Sequence, residues 1–172
     1  MDCKWQSDVR AGVREFWLSG CPLSYNELIF QFLPAPHEPP GLPGGHMGIY
    51  VFYYRECCLK VGMAGPNSGT RFQYQHYNGC ASSTLAGSLC RDFTLHREVH
   101  LDLERPGNWI KATTHRANVL LPSRWGTDIL RALETFLIAR LRPRYERSLT
   151  SGVRQPTQSL DLPRLRWDVG AD

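Results

Sequence analysis

The strongest constraint on the fold is a pair of triplets ten residues apart, Gly48-Ile49-Tyr50 and Lys60-Val61-Gly62. Each lies in an apolar run, Ile49-Tyr50-Val51-Phe52-Tyr53-Tyr54 and Cys57-Cys58-Leu59-Lys60-Val61, with polar Arg55 and Glu56 between. Runs of β-branched and aromatic residues separated this way read as the two strands of a hairpin. Parity then sets a condition. For Tyr50 and Lys60 to share a sheet face their pairing must sum evenly, for example 52 with 60 and 54 with 58, which requires an odd-length loop such as Arg55-Glu56-Cys57, or a bulge. A two-residue loop pairing 54 with 57 in a regular ladder puts Lys60 on the opposite face.

At 172 residues and 42% apolar content the chain suffices for one domain with a proper core. No run approaches the roughly 18 apolar residues of a membrane span, and the N-terminus lacks a basic-then-apolar secretion signal. The expectation is a soluble, cytoplasmic protein with no membrane partner. The net charge of +4 permits polyanion binding without demanding it. Its distribution says more: between Arg131 and Arg147 five arginines (131, 140, 142, 144 and 147) face two acids, Glu134 and Glu146. That cluster suits a phosphate-binding surface and equally a solvated helix face. The six cysteines (3, 21, 57, 58, 80 and 90) form no Cys-x-x-Cys pair and no zinc-site spacing with histidine. They are expected to be free thiols without metal.

Residues 5–18 carry a helical stripe of Trp5, Val9, Val13, Phe16 and Trp17. Ser24-Tyr25-Asn26-Glu27 has capping-box spacing ahead of Leu28, Ile29, Phe30, Phe32 and Leu33, which predicts a second helix closed by Pro34. Residues 34–46 are a Pro/Gly-rich connector, so 1–46 reads as a helical arm plus connector, 47–147 as the core, and 148–172 as a tail docked through Leu160, Leu162, Leu165 and Trp167. Within the core, Thr70 is placed to cap a short helix beginning at Arg71, and Ser82 to Cys90 reads as helical. The spacing of Phe93, Leu95, Val99, Leu101 and Leu103 predicts a strand, Pro106 to Thr114 starts like a helix, and Ala117 to Leu121 is a short buried strand. The strongest helix is capped by Thr127, with Ile129, Leu130, Leu133, Phe136, Leu137 and Leu141 as its apolar face, and is ended by Pro143. The fold class is α/β in the α+β sense.

Phosphodiester hydrolysis needs a base for water, a cation to offset the phosphorane charge and stabilisation of the leaving oxygen. Tyr50, Lys60, Arg71 at the start of a helix-like segment and Glu134 at the rim of an apolar helix face have the right types in chain order. An unpaired carboxylate at the Glu134 position costs energy unless a metal or cation meets it. Over roughly residues 47 to 146 this order resembles the GIY-YIG nuclease family, in which a Tyr, a second Tyr, an Arg and a metal-binding Glu cleave phosphodiesters. The resemblance implies a small core with a short, mainly antiparallel sheet flanked by helices, and a metal-dependent endonuclease acting on DNA. Tyr50 would be the base or water-orienting group, its phenolate favoured by neighbouring positive charge that Lys60 can supply. Lys60 stands where relatives more often have the second Tyr; some restriction-type members carry lysine there. Arg71 would clamp phosphate, helped by the helix N-terminus, and Glu134 would hold magnesium (or manganese). Four residues after Arg71, where relatives often place a histidine, Gln75 is the better geometric match on a helix and His76 the better chemical one. Glu146 replaces a family asparagine. A stand-alone nuclease resembles restriction or phage-defence enzymes, with homodimerisation as a route to two cuts.

Tyr50 fits a half-buried strand aromatic, Lys60 an exposed strand lysine, Arg71 a solvated first-turn arginine, and Glu134 a salt bridge to Arg131 or Arg140. A catalytically inactive nucleic-acid-binding module is the rival reading. A nuclease of single-stranded DNA or RNA is another, with Tyr74, Tyr77 and Trp109 as base-stacking groups.

Overall fold

The structure, a computed structural model, describes residues 3–78, 84–99 and 101–146. Its elements are α1 (Lys4–Leu18), β1 (Ile29–Leu33), β2 (His46–Tyr54), β3 (Cys57–Ala64), α2 (Gly69–Gln73), α3 (Leu85–Cys90), α4 (Phe93–Glu98), α5 (Pro106–Thr113), β4 (His115–Pro122) and α6 (Thr127–Leu141). The strands form one four-stranded antiparallel sheet in the order β1-β4-β2-β3, so the fold is α+β. Alternation sends Ile49, Val51, Tyr53, Ala117, Val119 and Leu121 to one face, under Trp5, Val9, Val13 and Trp17 of α1 and Leu130, Leu133 and Leu137 of α6. The other face presents Tyr50, Phe52 and Leu120 to Phe72, Tyr77, Leu85, Leu89, Leu95, Trp109 and Ile110. The N-terminal segment therefore shares the core of the sheet. The expected docked tail, residues 148–172, lies outside the described residues. Among the described residues no helix is long and apolar enough to cross a membrane.

The hairpin meets the parity condition through a bulge. Its loop is the two-residue Arg55-Glu56, with Arg55 at φ 54° and Tyr54 opposite Cys57, but the register shifts between Phe52 and Tyr53 so that Phe52 pairs with Lys60. Leu59 is the extra residue, and Tyr50, Phe52 and Lys60 come to one face. The triplet glycines have a packing reason. A Cβ on Gly62, which pairs with Tyr50, would lie 2.6 Å from the Tyr50 hydroxyl oxygen, and one on Gly48 would lie 2.8 Å from the Phe72 ring. Glycine at both positions lets aromatic rings lie flat across the strands.

Two predicted elements are of the other type. The predicted helix over 28–33 is strand β1: the Ser24 signal yields only a 3-10 turn over Tyr25–Glu27 with no side-chain cap bond. Pairing with β4 then exploits the alternation of Phe30 and Phe32 against Gln31, whose amide accepts from Asn118. The predicted strand at 93–103 begins instead as helix α4, because the Asp92 carboxylate accepts from the Thr94 and Leu95 N–H groups and caps it. Capping positions also shift by a residue or two. Ser68, not Thr70, precedes α2, and Gly126 (φ 81°), not Thr127, precedes α6.

Candidate active site

Two rows of cross-strand neighbours build one face of the site. Asn118, Tyr50 and Gly62 align across β4, β2 and β3, and Arg116, Phe52 and Lys60 form the adjacent row. The chain then returns over this face as α2 and the 3-10 turn Gln75–Tyr77. Since α2 ends at Gln73, the helical spacing that favoured Gln75 does not hold, and His76 is the residue that reaches Tyr50, its Nε2 lying 2.6 Å from the hydroxyl oxygen.

The second ring nitrogen fixes the tautomer. The Leu85 backbone N–H donates to His76 Nδ1 at 3.2 Å, so the neutral imidazole carries its proton on Nε2 and donates it to the Tyr50 oxygen. His76 is 4% exposed, and burial, aided by the charges of Lys60, Arg116 and Arg71, holds its pKa down to about 3. It is a neutral donor at working pH, not a base. The Tyr50 hydroxyl in turn points to the Met63 carbonyl at 3.4 Å. Burial raises the Tyr50 pKa; Arg71, through hydrogen bonding and charge, and Arg116 oppose the rise. Arg71 and Arg116 thus act on Tyr50, while the Lys60 charge acts on its partner His76. Arg71 is exposed whereas Tyr50 is fully enclosed, and the five-residue α2 is too short to add a useful helix dipole.

Lys60 is buried, and its ammonium donates to the Tyr145 carbonyl (3.4 Å) and to Glu146 Oε2 (3.5 Å). Residues 144–146 are latched to the outer edge of β3: the Arg144 N–H bonds the Cys58 carbonyl and the Tyr145 N–H bonds that of Leu59. Asp92 holds the latch by accepting from Arg144 Nε at 2.9 Å and from the Tyr145 hydroxyl at 2.6 Å. Glu146 reaches the site this way, where the Val61 backbone steadies its charge, while Glu134 is steadied by the Met63 backbone two residues along β3.

Glu134 is half-buried on α6. Burial first, and then the charge of Glu146, raise its pKa, opposed by Arg71, Lys60 and the Met63 backbone. Burial likewise raises that of Glu146 against the pull of Lys60. The salt bridge to Arg140 considered from sequence does not form, because Arg140 bonds Glu15 through Nε at 2.9 Å. Both carboxylates are held back from ionising chiefly by burial, and their hard oxygens are of the kind a divalent cation takes. Among the described residues no group of three or more His, Cys, Asp and Glu side chains gathers as a metal cluster. Magnesium needs no such cluster when one or two carboxylates, waters and a substrate phosphate complete its shell.

The wider surface is less basic than the sequence cluster suggests. Arg140 is paired with Glu15 and Arg144 with Asp92, Arg131 and Arg142 are exposed, and Arg147 lies outside the described residues. Of the three aromatic residues considered for stacking, Tyr77 and Trp109 are core, and Tyr74 is 51% exposed. Cys3, Cys21, Cys57, Cys58 and Cys90 carry free thiols. Arg116 and Asn118 were not foreseen as site residues. Their signal was two polar residues two apart on a strand expected to be buried, with Arg116 one residue before the predicted start. No family model, curated protein or solved structure matches the chain.

Proposed function

We propose that this chain is a metal-dependent endonuclease of the GIY-YIG type that hydrolyses DNA phosphodiester bonds, in a restriction or phage-defence role. The observation that carries this reading is the Tyr50 oxygen, met by a neutral His76 Nε2–H and by Arg71 at a site bordered by Glu134. The His76 donor and the Arg71 charge oppose the rise that burial and Glu134 give the Tyr50 pKa, the direction of help that a tyrosine taking a proton from water requires. Arg71, the exposed member, engages the scissile phosphate through its planar fork and in doing so leaves the Tyr50 oxygen open to the attacking water. Glu134, with Glu146 beside it, would hold the divalent ion, which when bound supplies positive charge against the developing phosphorane. Lys60 pairs with Glu146 at 3.5 Å and opposes the rise in pKa of both carboxylates.

The binding-module reading draws on a different observation, the complete enclosure of Tyr50. Wild type and Tyr50→Phe, compared for affinity and for cleavage on labelled duplex DNA with magnesium, separate the two. The nuclease reading expects cleavage by wild type only, with affinities within about threefold. Binding by both and cleavage by neither would establish the module instead.

A further inference from the structure

Arg116 is the largest side chain among those fully buried, at 1% exposure, and its three hydrogen bonds all go to neutral acceptors. Nε donates to Asn118 Oδ1 at 2.8 Å, Nη1 to the Tyr77 hydroxyl at 3.1 Å and Nη2 to the Phe72 carbonyl at 2.7 Å. The rings of Phe72, Phe52, Tyr50 and Tyr77 surround the guanidinium, 4.7 to 6.0 Å from its carbon. Among the described residues no carboxylate pairs with it, and the desolvation cost of burying a guanidinium this way is only partly offset by cation–π contacts and neutral acceptors. An apolar residue in the same place would serve a purely packing role better.

What the fork grips is informative. Phe72 directly follows Arg71, and Tyr77 directly follows His76. One rigid group rooted in β4, one strand from Tyr50, thus fixes the backbone beside one Tyr50 partner and the side chain beside the other. The Tyr77 hydroxyl passes the restraint on: it donates to His37 Nε2 at 2.8 Å, while His37 Nδ1–H donates to the Thr114 carbonyl at 2.9 Å. The α2-to-turn segment contains little regular helix of its own to hold Arg71 and His76 in register.

We infer that Arg116 is a positioning residue for the nuclease site proposed above, a buried fork that sets Arg71 and His76 against Tyr50. This rests on that reading for its consequence in cleavage, but the geometry can be tested without DNA. Only the planar guanidinium reaches Phe72 and Tyr77 together; lysine keeps the charge and loses the second grip.

The test is Arg116→Lys, with thermal melting used to confirm that it is folded at the assay temperature. In 15N-labelled protein the Nε2–H proton of His76, bonded to the Tyr50 oxygen, is expected far downfield and slow to exchange in wild type, and lost or shifted in the variant. Single-turnover cleavage is expected to fall at least about tenfold in kcat with KM within about threefold. If Arg116→Lys does not fold, Tyr77→Phe, which removes one grip and keeps the ring, is expected to weaken the same signal and lower kcat by a smaller factor. An unmoved His76 signal with full kcat in whichever variant folds overturns the inference. A moved His76 signal in a protein whose wild type cuts no DNA would instead leave the positioning intact and defeat the nuclease reading.

Discussion

Replacing Glu134 by glutamine keeps the shape of the side chain and removes its charge, and the structure sets opposite expectations for stability and catalysis. Burial and Glu146 both disfavour the ionised form, so at neutral pH the native state carries a charge it would hold more easily as a neutral group. A carboxylate whose pKa is raised on folding opposes stability above its unfolded pKa, and its loss should leave the melting temperature unchanged or raised. The amide can still accept from the Met63 backbone. Catalysis should respond the other way, because an electrostatic contributor to the transition state is worth roughly 3 kcal/mol, or about a hundredfold in rate. Melting and single-turnover cleavage on one preparation, with magnesium at several concentrations, give both numbers. A destabilised variant with normal turnover per folded molecule would mean that Glu134 serves only in packing and pairing, and would refute the metal assignment.

Gly62→Ala puts a methyl against the Tyr50 ring; overpacking of this kind costs about 1–3 kcal/mol, so urea unfolding should show that loss together with reduced cleavage, whereas a neutral result would mean that Tyr50 does not lie across β3. Glu146→Asn removes the charge that adds to burial in raising the Glu134 pKa; NMR titration should find that pKa lowered, and half-maximal cleavage should need several-fold more magnesium, against no change in either if the two carboxylates do not share the site. Burial, opposed by the Thr114 carbonyl and assisted by Arg116, holds His37 down to about 4, and His76 lies at about 3. Both native pKa values fall below the unfolded value near 6.5, so the unfolded state binds more protons in this window. Stability is then full above about pH 6.5 and lost on acidification at up to about 1.4 kcal/mol per pH unit for each histidine, partly offset by Glu134 and Glu146, whose shifts run oppositely. Urea midpoints that stay flat from pH 7 to 5 would contradict neutral buried histidines.

The hairpin was legible because Ile49 to Tyr54 and Cys57 to Val61 combine strand-forming residues with a short polar break, and α6 because its apolar face repeats over four turns. Parity restricted the loop to a few solutions but could not choose among them, since a bulge at Leu59 depends on how the tight Arg55-Glu56 turn meets the Tyr50 and Lys60 face. Residues 28–33 misled because Phe30 and Phe32 satisfy strand alternation as well as a helical stripe, and the partner strand that decides is almost 90 residues away. Gln75 outranked His76 only on the assumption of a continuous helix, which the short α2 does not provide. Arg116 was hidden for a different reason: its value lies in two grips on a distant segment, and nothing in its neighbourhood along the chain marks it. Tyr50, Arg71 and Glu134 stood out by residue type and order alone, whereas the tautomer of His76 depends on the Leu85 backbone, which no sequence pattern indicates.

The most direct measurement is also the simplest. Purified wild-type protein is incubated with duplex DNA, single-stranded DNA and RNA, each with magnesium and each with chelator, and both binding and strand scission are recorded. The expected result is scission of duplex DNA with magnesium and none with chelator. Scission confined to single strands or RNA would move the substrate class, and binding without scission of any of the three under magnesium or manganese would contradict the nuclease account.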